Sequence, residues 1–318
     1  MATRVTAMAT IPATVQSDVN PAWPVPAAYI ASHDRRDGPQ VSRERPVAVG
    51  MVLAAAGSLQ VGAAFAITLF DELGPGGAAF LRLAFATVVL WAIWRPRIPS
   101  HLADLRVAGA FGVALGLMNW SIYESIDRIP LGVAVTIEFA GPLLVAVIGS
   151  RRPLDGAWIV LAVAGILLLA DPGGGSIDGL GVLFALTAAG CWMAYIYLSK
   201  RTGAVFPGGS GLAIAMAVGA LIVLPAGLVQ GGTALTHPDL LGAALVVALA
   251  SSVLPYSLEL EALRRLPESV FGVLMSLEPA VAALAGFAVL GQDLGARELA
   301  AIGMVVVASA GATAAPRP

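Results

Sequence analysis

The sequence predicts an all-α integral membrane protein with ten transmembrane helices, built as a 5+5 inverted-topology repeat. Three observations predict it. Hydrophobic residues make up 58% of the 318 and charged residues only 12%, with a mean hydropathy of +0.85. Soluble domains are roughly half apolar and about a quarter charged, so lipid is the expected solvent. Ten segments approach the roughly 20 apolar residues a bilayer-crossing helix needs, at about 46–70, 76–94, 106–125, 131–149, 154–170, 179–199, 210–230, 239–260, 268–290 and 297–314. Finally, the chain echoes itself. A shift of 137 positions superposes Glu124 on Glu261, Arg128 on Arg265, Pro130 on Pro267, Val133 on Val270 and Pro142 on Pro279, without a gap.

Residues 1–45 lack an apolar stretch of signal-peptide length, and Pro21, Pro24 and Pro26 oppose a helix there. A disordered cytoplasmic tail is expected, or an over-long reading frame whose true start lies nearer the first span. The breaks between spans carry turn and charge chemistry: Asp71-Glu72, Arg95-Pro96-Arg97, Asp127-Arg128, Arg151-Arg152-Pro153, Asp171-Pro172-Gly173, Lys200-Arg201, Gly231-Gly232, Arg264-Arg265 and Gln292-Asp293. With the N-terminus inside, the inside segments hold 14 basic residues and the outside loops only Arg128 and Arg297. The positive-inside rule then places both termini of the multi-pass protein in the cytoplasm. Residues 46–170 and 179–314 each hold five spans, and an odd number makes the second unit enter from the opposite side. Interrupted, charged helices in an inverted repeat point to a secondary transporter whose site lies near the midplane, between the halves.

An ionisable group at the bilayer centre costs roughly 2.5–3.5 kcal/mol on insertion scales. Arg82, Glu138 and Glu278 all fall inside spans, so a cavity or a partner is expected to offset that cost. Arg82 is expected to pair with one of the acids or to face a substrate carboxylate. The two acids are expected to carry a proton or to bind a substrate ammonium group, and their residue types do not separate these roles. The bland alternative is an Arg–Glu pair that only locks helices together. Asn119, Trp192, Tyr195 and Tyr256 are candidate substrate contacts, although aromatic residues near span ends are by default interface anchors. Gly141, Pro142, Pro255 and Pro279 are candidate helix breaks, because proline removes a helix hydrogen bond and frees the carbonyl four residues earlier. Glu124, Glu259 and Glu261 sit near span ends and are expected to be solvated. Gly112 with Gly116, and Gly286 with Ala282, are read as close-packing positions.

Several stretches resemble the EamA family of the drug/metabolite transporter superfamily. They are Leu81-Arg82-Leu83-Ala84, Met118-Asn119-Trp120, Pro130-Leu131-Gly132-Val133-Ala134-Val135, Ile137-Glu138-Phe139-Ala140-Gly141-Pro142-Leu143, Cys191-Trp192-Met193-Ala194-Tyr195, Leu254-Pro255-Tyr256-Ser257-Leu258-Glu259 and Leu274-Met275-Ser276-Leu277-Glu278-Pro279. The resemblance covers about 46–312 and is strongest to bacterial threonine and homoserine exporters. It implies export of a small polar metabolite by alternating access, with the proton gradient as the expected energy source. A drug or other metabolite exporter of the same fold is the rival reading.

Other classes find little in these residues. The net charge of −2 points to no nucleic-acid partner, and the single cysteine, Cys191, allows no internal disulfide. No His/Cys/Asp/Glu set has metal-ligand spacing, and Gly173-Gly174-Gly175 lacks the lysine of a phosphate loop, so no metal or cofactor is expected. An intramembrane enzyme would need a catalytic dyad that the spans do not contain. The expected partners are a small-molecule substrate and the bilayer, and the sequence leaves a homodimer open.

Overall fold

In lipid, a backbone must satisfy its own hydrogen bonds, and long apolar runs do so as helices. The computed structural model describes residues 40–98, 101–148, 153–170, 177–263, 265–266 and 268–314. All regular structure among them is helical. In chain order the helices are α1 (Gln40–Ile67), α2 (Phe70–Trp94), α3 (Leu102–Ile126), α4 (Leu131–Glu138), α5 (Ala140–Ile148), α6 (Pro153–Ala170), α7 (Gly179–Val205) and α8 (Ser210–Gly231). A short 3-10 segment, Gly232–Thr236, leads to α9 (Pro238–Ala248), a π-helical turn (Leu249–Val253) and α10 (Leu254–Leu263). The chain closes with α11 (Glu268–Met275), α12 (Glu278–Leu290) and α13 (Ala296–Ala314). The expected tail over 1–39, the Arg151-Arg152 and 171–176 connections, Arg264 and Pro267 lie outside the described residues.

Among the described residues, seven helical stretches are long and apolar enough to cross a membrane. Leu131–Val145 and Gly156–Leu168 are apolar but shorter. Large apolar side chains point outward, with Val160, Leu221, Val229 and Phe287 at least 60% exposed. Such a surface is an aggregation hazard in water and a solvent-compatible one in lipid.

Three of the predicted spans are interrupted rather than continuous. The 131–149 segment breaks at Phe139, between α4 and α5. The 268–290 segment breaks at Ser276-Leu277, between α11 and α12. The 239–260 segment is bridged by the π-helical turn. A fourth irregularity is Gly74 near the start of α2, whose positive φ of 65° sits just before Pro75.

Packing places α2 along α8 and α3 against both α7 and α8, while α4 meets α12 and α7 and α6 packs on α13. Close approach rests on missing side chains. A Cβ on Gly116 would lie 2.8 Å from the Gly219 Cα, and one on Gly141 would overlap the Ala189 carbonyl oxygen on α7. Gly141 therefore lets α5 press against α7, a contact beyond the local break foreseen for it. The positions paired by the repeat form the same i,i+4 ion pair, Glu124–Arg128 at 2.8 Å and Glu261–Arg265 at 2.5 Å.

Gly116→Ala is expected to force α3 and α8 apart and to destabilise the protein by about 1–3 kcal/mol. Gly109→Ala on the same helix meets no atom within 4 Å and should leave stability nearly unchanged. Unfolding midpoints of the two variants in detergent check the contrast.

Candidate functional site

Polar side chains in apolar helices collect around one cavity. A cavity of about 410 Å³ is lined by residues from α1, α2, α3, α4, α5, α7, α10, α11, α12 and α13, and by Phe139 at the α4–α5 break. Seven predicted substrate or coupling residues line it together: Arg82, Asn119, Glu138, Trp192, Tyr195, Tyr256 and Glu278. Of the predicted breaks, Pro142 lines the cavity, while Gly141, Pro255 and Pro279 do not.

Arg82 is 4% exposed and makes no ion pair among the described residues. Its Nε donates to Ser252 Oγ at 2.9 Å, Nη1 to the Tyr123 hydroxyl at 3.3 Å, and Nη2 to the Ser251 carbonyl at 2.6 Å. Its guanidinium also stands 5.4 Å from the Tyr123 ring centroid, within cation–π range. The Arg–Glu pair given as the bland alternative for Arg82 is therefore not formed among the described residues. The reason lies in Pro255. Proline has no N–H to give to the carbonyl four residues earlier, and that carbonyl is Ser251. Arg82 supplies a donor for it across the helix interface, from α2 to the π-helical turn.

Glu138 is the last residue of α4 and is 7% exposed. Its carboxyl accepts no hydrogen bond among the described residues. Pro142 lacks the N–H that would meet the Glu138 carbonyl, and α4 ends there. Glu278 opens α12 and is 1% exposed; its Oε1 accepts a long 3.5 Å bond from Gln60 Nε2, and its Oε2 has no partner. Pro279 sits in the first turn of α12, where no helical N–H is required. It therefore starts a helix rather than interrupting one.

The aromatic wall is built by contact. Trp192 stands edge-on to Phe139 at 5.0 Å between ring centroids, and Tyr195 leans on Phe111 at the same separation. Asn119 uses its amide nitrogen on the Leu115 carbonyl one turn back, at 2.8 Å. Gln60, Tyr123 and Glu259 also line the cavity and were not foreseen there. Gln60 is a lone amide inside the first apolar span, which is a signal of the same kind as Asn119. Glu259 was grouped with the solvated span-end acids, a reading the cavity corrects. Glu124 is corrected too. It is buried, and its Oε1 accepts from Trp120 Nε1 at 2.9 Å and from Gln230 Nε2 at 2.7 Å, while Arg128 pairs with Oε2.

Residues 179–314 match the EamA-like transporter family. Over 276 residues the chain is 44% identical to threonine/homoserine exporter RhtA of Escherichia coli (strain K12), covering 85% of this chain and 93% of that protein. The chain belongs to the EamA-like transporter family. RhtA of Salmonella typhimurium (strain SL1344) is 42% identical over 280 residues, covering 86% of this chain and 95% of its own. The uncharacterized transporter YwfM of Bacillus subtilis (strain 168) is 31% identical over 238 residues, covering 74% of each. A solved crystal structure shares the fold at a TM-score of 0.55 and 18% identity, covering 83% of this chain and 96% of its own.

As an EamA-like transporter, this is a multi-pass membrane protein that moves a small molecule rather than transforming one. Polar groups from many helices converge on the cavity. Its second polar centre lies apart. Gln230 ties Glu124 to the kinked start of α2 by accepting from the Gly76 N–H at 2.6 Å. None of Glu124, Gln230 and Gly76 lines the cavity.

The link between Pro255 and Arg82 predicts strong non-additivity. Arg82→Ala leaves the buried Ser251 carbonyl and Ser252 hydroxyl short of a donor, at about 1–3 kcal/mol for each such group. In a Pro255→Ala background the backbone can supply its own N–H, so the same arginine change should cost less. A double-mutant cycle on unfolding midpoints should give a coupling of about 0.5–3 kcal/mol.

Proposed function

We propose that this protein exports small amino acids, with threonine and homoserine as the first candidates, from the cytoplasm across a bacterial inner membrane. The observation that carries the reading is the cavity, where three carboxyl side chains and a guanidinium meet a wall of aromatic rings, in a chain 44% identical to a threonine/homoserine exporter. A zwitterion of amino-acid size needs such mixed polar and apolar walls.

Ten spans in two five-helix units, 46–170 and 179–314, inverted with respect to each other, fit the shift of 137 positions and the ion pair repeated at Glu124–Arg128 and Glu261–Arg265. Both termini then lie in the cytoplasm, as the excess of 14 basic residues over 2 favours. Transport follows by alternating access, with the two halves rocking about the cavity. Arg82, Asn119, Glu138, Trp192, Tyr195, Tyr256 and Glu278 contact the substrate or couple its movement to the proton gradient. Glu138 is the first choice for coupling, because its carboxyl faces the cavity without a partner at a helix break.

Cells overproducing the protein, loaded with labelled threonine or homoserine from a dipeptide feed, should release label faster than cells without it. Glu138→Gln, at equal membrane abundance, should bring efflux down to the background. A wild type that is abundant in the membrane and releases neither amino acid would move the reading to another metabolite. Collapsing the whole proton gradient, pH difference and membrane potential together, with a protonophore should slow wild-type efflux, and an unchanged rate would exclude proton coupling.

A further inference from the structure

The cavity holds an imbalance of charge. Three carboxyl side chains line it, Glu138, Glu259 and Glu278, against one guanidinium, Arg82. Arg82 is held in place by its bonds to the Ser251 carbonyl, Ser252 and Tyr123. Its position is set by the Pro255 break, and it is not free to follow a ligand. The carboxyls are in the opposite condition. Glu138 accepts no hydrogen bond among the described residues, and Glu278 Oε2 is buried without a partner.

A buried carboxyl oxygen without a donor is costly. A ligand that brings N–H donors and a positive charge removes that cost with strong, charge-assisted bonds. An ammonium group does both, with three N–H donors. The rest of the lining mixes apolar and aromatic side chains, including Met118, Ile122, Phe139 and Met275, with the uncharged polar side chains of Gln60, Asn119, Ser199 and Ser309, and it suits a short, uncharged side chain rather than a second charge.

We propose that the site reads its cargo through the cargo's ammonium group, held by Glu138 and Glu278, and does not require the cargo's carboxylate. The substrate class is then small primary amines, of which amino acids are one kind. The choice of threonine as probe rests on the exporter reading above.

The test uses the full chain in liposomes and follows exchange of labelled threonine against unlabelled competitors. Threoninamide keeps the ammonium group and lacks the carboxylate, whereas N-acetylthreonine has the reverse. Threoninamide should inhibit nearly as well as threonine, and N-acetylthreonine about 10- to 100-fold less, the range for losing a hydrogen bond to a charged group. Glu278→Gln should narrow that gap. Inhibition by N-acetylthreonine alone, by both compounds equally, or by neither would overturn the proposal. If the protein moves no threonine, the exporter reading fails, and the proposal is decided on the purified protein. A larger rise in unfolding temperature with propylammonium than with propionate supports it, and an equal or smaller rise overturns it.

Discussion

Lipid offers no hydrogen bonds, so a carbonyl freed inside a membrane helix must find its donor within the protein. The Ser251 carbonyl is freed by Pro255 and met by Arg82 at 2.6 Å. Much of the cavity depends on that bond. It joins α2 to the π-helical turn, and the same guanidinium reaches Ser252 on the turn and Tyr123 on α3. One side chain thus fixes the spacing of three elements around the cavity. Gly62 on α1 closes the group, because a Cβ there would lie 2.9 Å from the Ser251 Cβ. The cost of burying Arg82 is offset by neutral acceptors and an aromatic face, which hold it without a direct ion pair to any acid among the described residues. That leaves the carboxyls of the cavity without a salt-bridge partner of their own.

How much of this was legible in sequence follows from what polar groups cost in lipid. Arg82, Asn119, Glu138 and Glu278 were found because each stands in an apolar run where nothing but a cavity or a partner repays it. The helix breaks were legible for the same reason, since proline announces a missing donor. What that donor would be was not legible, because Arg82 and Ser251 lie 169 positions apart. Glu259 was misplaced because Glu261 and Arg265 beside it form a surface pair, and the sequence groups all three at a span end. Glu124 was misplaced because its neighbours on α3 did not reveal Gln230, which arrives from α8. Gly141 was read as a break alone, since its contact with Ala189 depends on how α5 meets α7.

The repeated Glu–Arg pairs show how one local motif takes two roles. At Glu261–Arg265 both side chains are about one-third exposed, at 35% and 33%, where a pair contributes little to stability. At Glu124 the carboxylate is 4% exposed and carries Trp120 and Gln230 as well as Arg128. Gln230 in turn occupies the space that a Cβ at Gly74 or Gly76 would need. The kink at Gly74, the end of α8 and the end of α3 are therefore one polar knot, separate from the cavity.

The two acids, offset by three positions in the repeat, are not interchangeable, and their places relative to the breaks explain why. Glu138 closes α4, whereas Glu278 opens α12. A helix carries partial positive charge at its N-terminus and partial negative charge at its C-terminus. Glu278 therefore stands at the positive end of its helix and Glu138 at the negative end of its own. The α11–α12 break falls just before its acid and the α4–α5 break just after. The breaks themselves coincide in the repeat, since the shift of 137 lays Phe139 on Ser276, so it is the acid that moves, from just before the break to just after it. Glu138 thereby keeps a carbonyl that Pro142 cannot serve, while Glu278 stands in the first turn of a helix whose Pro279 needs no N–H. The asymmetry is set by where each acid stands on the backbone, so it exists before any ligand enters.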